Sequence, residues 1–125
     1  MKLQPDRADK LSVTSHGPGW FAINGERFEH SLVITSEGEK IKWPCEKFED
    51  LNQTHFDLLL NLKAEIVLIG TGSKHFFPQP ALYQSLIEKG IGLESMNTAA
   101  ACRTFNILSA EHRQVAAVLL TSDPS

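Results

Sequence analysis

Between positions 11 and 43 the apolar residues fall in short runs separated by turn-forming residues. LSVTSH alternates apolar and polar side chains, as a strand with one buried face does. WFAIN ends on Asn24-Gly25, a pair that supplies the positive φ angles of a tight hairpin turn. HSLVITS reads as a further strand, SEGE as a turn and KIKW as another strand. Pro44 has no N–H for a ladder and closes the run. This half predicts an antiparallel meander.

The period changes after about position 52. Phe56, Leu59, Leu60 and Leu62, with Leu58, suit one helix, for which Thr54 is the expected N-cap and Asp57 lies three residues on. EIVLI is a continuous apolar run of the kind found in strands buried on both faces, and GTG ends it. Pro80 suits the first turn of a second helix reaching about Lys89, with Leu82 and Leu86 one turn apart and Gly90 just past the end. IGLES is a short strand, Asn97 or Thr98 caps a third helix, AAACRTFNIL, and VAAVLL is the last strand. Alternation of strand and helix implies right-handed crossovers and a partly parallel sheet. The expected class is therefore α/β (α+β), an N-terminal antiparallel meander followed by βαβαβ. A single globular domain over 11–121 is expected, after a polar, loose segment over 1–10.

Composition narrows the function classes. A chain of 125 residues that is 42% hydrophobic and 22% charged can build a core without disulfide or metal staples. Twelve basic against fifteen acidic residues give a net charge of −3, which argues against nucleic acid as a partner. The longest apolar runs, over 66–69 and 115–120, are too short to span a bilayer. The start, MKLQPDRADK, has no apolar stretch and carries Asp6 and Asp9, so neither a secretory nor a mitochondrial leader is expected there. Cys45 and Cys102 are far apart and outside any C-x-x-C pair, which fits free thiols in a reducing cytoplasm. No two of His16, His30, His55, His75 and His112 stand at ligand spacing, so neither metal nor cofactor is expected.

Two stretches could carry chemistry. Gly70-Thr71-Gly72, followed by Lys74, permits a tight turn whose N–H groups could cradle an anion; the plainer reading is a chain reversal that only glycine fits. The helix beginning near Thr98 should project from the same sheet edge, which brings Thr71, Thr98 and Arg103 towards one crevice. Against that stands Arg103 paired with Glu94 or Glu111. Cys102 is a nucleophile only if a base lies within reach; otherwise it is a small buried residue on an alanine-rich face. Glu111 and Arg113 should take part in a surface or interface ion pair, and His75 and His112 should lie in exposed loops. Trp20, Trp43 and the seven phenylalanines read mostly as core residues. Phe76-Phe77 before Pro78 is either an aromatic anchor for a partner or a loop folded back on the core.

From EIVLIGTG through GIGLESMNTAAACRTFNILSAEHRQVAAVLL, together with the NG hairpin, the SLVIT strand and Trp43-Pro44, the chain resembles a widespread domain family. That family's eukaryotic members include the mitochondrial respiratory complex I (NADH dehydrogenase) assembly factor three. The resemblance implies a three-layer β+α/β/α arrangement with a mixed sheet, and a likeness to short bacterial members. It carries the motif on Gly70, Thr71, Gly72, Met96, Thr98, Cys102, Arg103, Asn106, Glu111 and Arg113, without a role for each. His112 stands where relatives often have glycine, so a positive φ is expected there. The function expected is a non-catalytic protein-binding module with a protein partner, and assembly of membrane or respiratory complexes as the task the resemblance implies. The alternative is a small-molecule or anion-binding protein, or an enzyme, using the crevice of Gly70, Thr71, Gly72, Lys74, Thr98, Cys102 and Arg103. An exposed sheet edge leaves a homodimer open.

Overall fold

The computed structural model describes residues 10–121. The loose segment expected over 1–10 lies, Lys10 apart, outside the described residues. The meander splits into two sheets. Strands β1 (Val13–Gly17), β2 (Trp20–Ile23) and β3 (Glu26–Phe28) form a small antiparallel sheet in that order. The β2–β3 turn is the Asn24-Gly25 pair, with φ of 50° and 87°. Strands β4 (Leu32–Thr35) and β5 (Lys40–Lys42) instead join β6 (Ile66–Gly70), β7 (Gly92–Met96) and β8 (Val115–Leu119) in a five-stranded mixed sheet, ordered β5-β4-β8-β6-β7. Within it β6 pairs in parallel with both β7 and β8, and β4 lies antiparallel to β8.

The chain leaves β6 for its neighbour β7, then turns back past β6 to β8. Right-handed crossovers running in opposite directions put their helices on opposite faces. Helix α3 (Thr98–Ala110) therefore lies between the two sheets. Helices α1 (Gln53–Leu58) and α2 (Gln84–Glu88) cover the far face. The result is the three-layer β+α/β/α arrangement with a mixed sheet.

Pleating sorts the apolar runs into two cores. Leu32, Ile34, Leu68, Val115, Ala117 and Leu119 face α3, where they join Ala101, Cys102 and Phe105 and, from the small sheet, Val13, Phe21 and Ile23. Val33, Val67, Ile69, Ala116, Val118 and Leu120 face the other way, onto Trp43, Leu51, Phe56, Leu59 and Leu86. The apolar runs of β6 and β8 have no polar face because neither sheet face meets water.

Three boundaries differ from expectation. The cap of α1 is Asn52, not Thr54: the Asn52 amide oxygen accepts the His55 N–H (3.1 Å), and the His55 ring nitrogen accepts the Asn52 N–H (3.1 Å). This reciprocal box satisfies two orphan donors, which Thr54 could not do. After Leu58 the helix tightens into a 3-10 turn, Leu59–Asn61. The second helix likewise opens with a 3-10 turn, Pro80–Tyr83, before α2. For α3 the cap is Asn97, whose side-chain oxygen accepts the Ala100 N–H at 2.8 Å.

Asn106 ties α3 to the small sheet. Its amide oxygen accepts the Val13 N–H and its amide nitrogen donates to the Val13 carbonyl, both at 2.9 Å, in place of a neighbouring strand. Asn106→Ala strands both backbone groups and is expected to cost about 1–3 kcal/mol. Urea unfolding measures the loss, and faster hydrogen exchange at the Val13 amide locates it.

Candidate functional site

The turn after β6 uses its two glycines for different reasons. A Cβ on Gly70 would lie 2.9 Å from the Thr98 Cα and 3.1 Å from the Ala101 Cβ, so α3 packs directly against the strand at Gly70. Gly72 has φ of 97°, a left-handed conformation that makes the chain reversal. Between them Thr71 is fully buried, and its hydroxyl is committed to the loop. It accepts the Phe76 N–H (3.2 Å) and offers its proton to the carbonyls of Lys74 and Met96.

Gly72 and Thr98 hold each other. The Thr98 N–H donates to the Gly72 carbonyl and the Gly72 N–H donates to the Thr98 hydroxyl, each at 2.8 Å. That hydroxyl in turn donates to the Leu120 carbonyl at 2.9 Å. One threonine thus joins the turns that follow β6 and β8 to the start of α3.

The other candidate residues lie elsewhere. Cys102 is 1% exposed within the α3 core. Burial pushes its thiol from 9.0 up to about 12, with the Arg103 charge opposing. Arg103 itself is exposed on the outer side of α3. Among the described residues neither Glu94 nor Glu111 reaches ion-pair distance of it. Lys74 is exposed on the loop. Phe76 folds back and stacks on Phe48 with ring centroids 5.5 Å apart, whereas Phe77 stands 77% exposed against the His75 ring.

Arg113 pairs with Glu65 (3.3 Å), not with Glu111. The two residues lead into the adjacent parallel strands β8 and β6, which sets them side by side. The Arg113 hydrogen bonds, followed by the Gln114 N–H, hold the Glu65 carboxyl below its usual range. His112 has φ of 64°, as expected for a position that favours glycine.

Both thiols are buried, and burial raises both pKa values. Iodoacetamide at pH 8 is expected to leave the folded chain unmodified and to label both cysteines in guanidinium. The native state keeps the Cys102 proton above the pH at which an unfolded chain loses it. Stability is therefore complete below pH 9.0 and falls as pH climbs through about 12. The slope from this thiol is about 1.4 kcal/mol per pH unit, readable from urea midpoints.

A cavity of about 320 Å³ opens at the carboxyl ends of the parallel strands. Gly72 and Ser73 line it after β6, Asn97, Thr98 and Ala99 after β7, and Leu120 and Thr121 after β8. Its remaining wall is the β1–β2 hairpin from His16 to Phe21. Of the expected crevice residues only Gly72 and Thr98 line it; Gly70, Thr71, Lys74, Cys102 and Arg103 do not.

The hairpin wall was not legible in the sequence. Its one local signal was HGPGWF, a glycine–proline–glycine turn running into an aromatic residue. Trp20, expected in the core, is half-buried beneath the Arg27 guanidinium, 4.4 Å from its ring centroid. Glu46 also went unread. Its carboxylate accepts the Ser31 N–H and hydroxyl and the Thr121 hydroxyl, which pins the chain behind the cavity.

The family model described as "Protein of unknown function (DUF498/DUF598)" matches residues 13–120, which takes in both sheets and helices α1, α2 and α3. The chain belongs to this family. Within it, the human protein named NADH dehydrogenase [ubiquinone] 1 alpha subcomplex assembly factor 3 is 31% identical over 94% of this chain. The match takes up 65% of that relative's own length. The Francisella tularensis relative named 13 kDa major membrane protein is 27% identical over 82% of this chain and 84% of its own. A crystal structure of a Bordetella parapertussis protein is 33% identical, covers 90% of this chain and 97% of that one, and superposes with a TM-score of 0.85. Among the described residues no helix is long and apolar enough to cross a membrane.

Proposed function

We propose that this DUF498/DUF598 chain is a non-catalytic protein-binding module that aids assembly of respiratory or other membrane complexes. The observation that carries the reading is the likeness of 94% of the chain to a protein named as a complex I assembly factor. The internal use of the motif supports it: Thr71 and Thr98 bond to neighbouring turns, Gly70 admits the helix, and Cys102 is buried. The exposed Phe77, beside Phe76, is the anchor offered to a partner. The setting proposed is a bacterial cytoplasm, with membrane complexes as clients.

Deletion of the gene, followed by native electrophoresis of membrane complexes, tests the reading. Loss of one complex with accumulation of its subassemblies is expected, restored by the wild-type chain and weakly by Phe77→Ser. Unchanged complexes, with no complex subunit crosslinked to a tagged chain, overturn it.

The cavity favours a second reading, a small-ligand binder at the crevice between the GTG turn and the Thr98 helix start. A ligand that binds only the folded chain raises its melting temperature by mass action, so a metabolite thermal-shift screen separates the two readings.

A further inference from the structure

We propose that the cavity at the carboxyl ends of β6, β7 and β8 is a site for a small, neutral, aromatic molecule. This goes beyond the assembly reading and does not depend on it. The volume, about 320 Å³, falls at the low end of the range for small-molecule sites. Four chain segments build it, the arrangement expected of a strand-end crevice in an α/β sheet.

The wall chemistry selects the ligand class. Apolar surface comes from Pro18, Trp20 and Ala99, none of them fully buried. Among the described residues no lysine, arginine, aspartate or glutamate lines the space and His16 is the one ionisable side chain on the wall, so a charged guest would find no carboxylate, ammonium or guanidinium to offset its lost hydration. Three of the polar side chains on the wall are already engaged. Thr98 bonds to Gly72 and Leu120, the Asn97 oxygen accepts the Ala100 N–H, and the Thr121 hydroxyl donates to Glu46. A ligand rich in hydrogen-bonding groups would find few partners among them.

The aromatic part of the wall is held in position. The Trp20 indole lies against Gly17, where a Cβ would come within 2.5 Å of its ring nitrogen, and under the Arg27 guanidinium, which is itself paired with Glu29 at 3.0 Å. A fixed ring offers stacking without an ordering cost.

Indole is the probe, titrated into ¹⁵N-labelled protein beside inorganic phosphate at the same concentrations. Indole is expected to shift the amides of Trp20, Gly72, Ala99 and Thr121 saturably, with a dissociation constant of about a millimolar or tighter. Phosphate is expected to leave them in place. Ala99→Trp fills the space from a half-buried position at the start of α3 and should weaken indole at least about tenfold while the rest of the spectrum persists. Trp20→Ala, which removes the ring but opens space, should weaken it as well. No saturable indole shift, a phosphate response at the same amides, or undiminished binding by both variants overturns the proposal.

Discussion

Phe105→Ala is expected to lower the unfolding free energy by about 3–5 kcal/mol. Phe105 is fully buried on α3, the helix between the two sheets, and shares one apolar cluster with Phe21 of the small sheet and Leu68 and Leu119 of the large one. Truncation leaves a void that neither sheet can close without breaking its own ladder. The matched control is Ile107→Ala, two residues on and 57% exposed, expected to stay within about 0.5 kcal/mol of wild type. Paired urea titrations measure both. Equal costs for the two variants contradict the seating of α3 described above.

Gly70→Ala is expected to cost about 1–3 kcal/mol, although alanine normally stabilises an extended strand relative to glycine. The added methyl meets the Thr98 Cα at 2.9 Å, and a backbone atom cannot swing aside as a side chain does. The start of α3 must lift, which stretches the paired Gly72–Thr98 hydrogen bonds of 2.8 Å. The damage should therefore reach the cavity: amide shifts at Gly72, Ala99 and Thr121 should accompany the lost stability. A neutral or stabilising Gly70→Ala shows that helix and strand are not in contact there. The same substitution at Gly72 acts differently, through the strain of alanine at φ of 97°.

The candidate site was partly legible. The sequence pointed to the meeting of the GTG turn with the start of the third helix, and Gly72 and Thr98 do meet there. It could not separate the two glycines, because a positive φ and a close approach both call for the same residue. It also placed Arg103 towards the crevice or against a carboxylate, whereas the side chain stands exposed. Which side of a helix faces the sheet follows from the packing of Ala101, Cys102 and Phe105, not from Arg103 itself. Glu65 and Arg113 are 48 residues apart in the chain and meet only because β6 and β8 are neighbours.

Read alone, the residues determined what depends on a few neighbours in the chain. The Asn24-Gly25 hairpin and the doubly buried strands over 66–70 and 115–119 follow from backbone sterics and side-chain alternation, which act within a handful of positions. Tertiary structure alone decided that the β1–β2 hairpin closes over the carboxyl ends of the parallel strands, and so made a cavity from residues 16–21, 72–73, 97–99 and 120–121. That outcome depends on how one layer stacks on another, through the apolar surfaces of α3 and through Asn106, and no local pattern encodes the relative placement of surfaces so far apart in the chain.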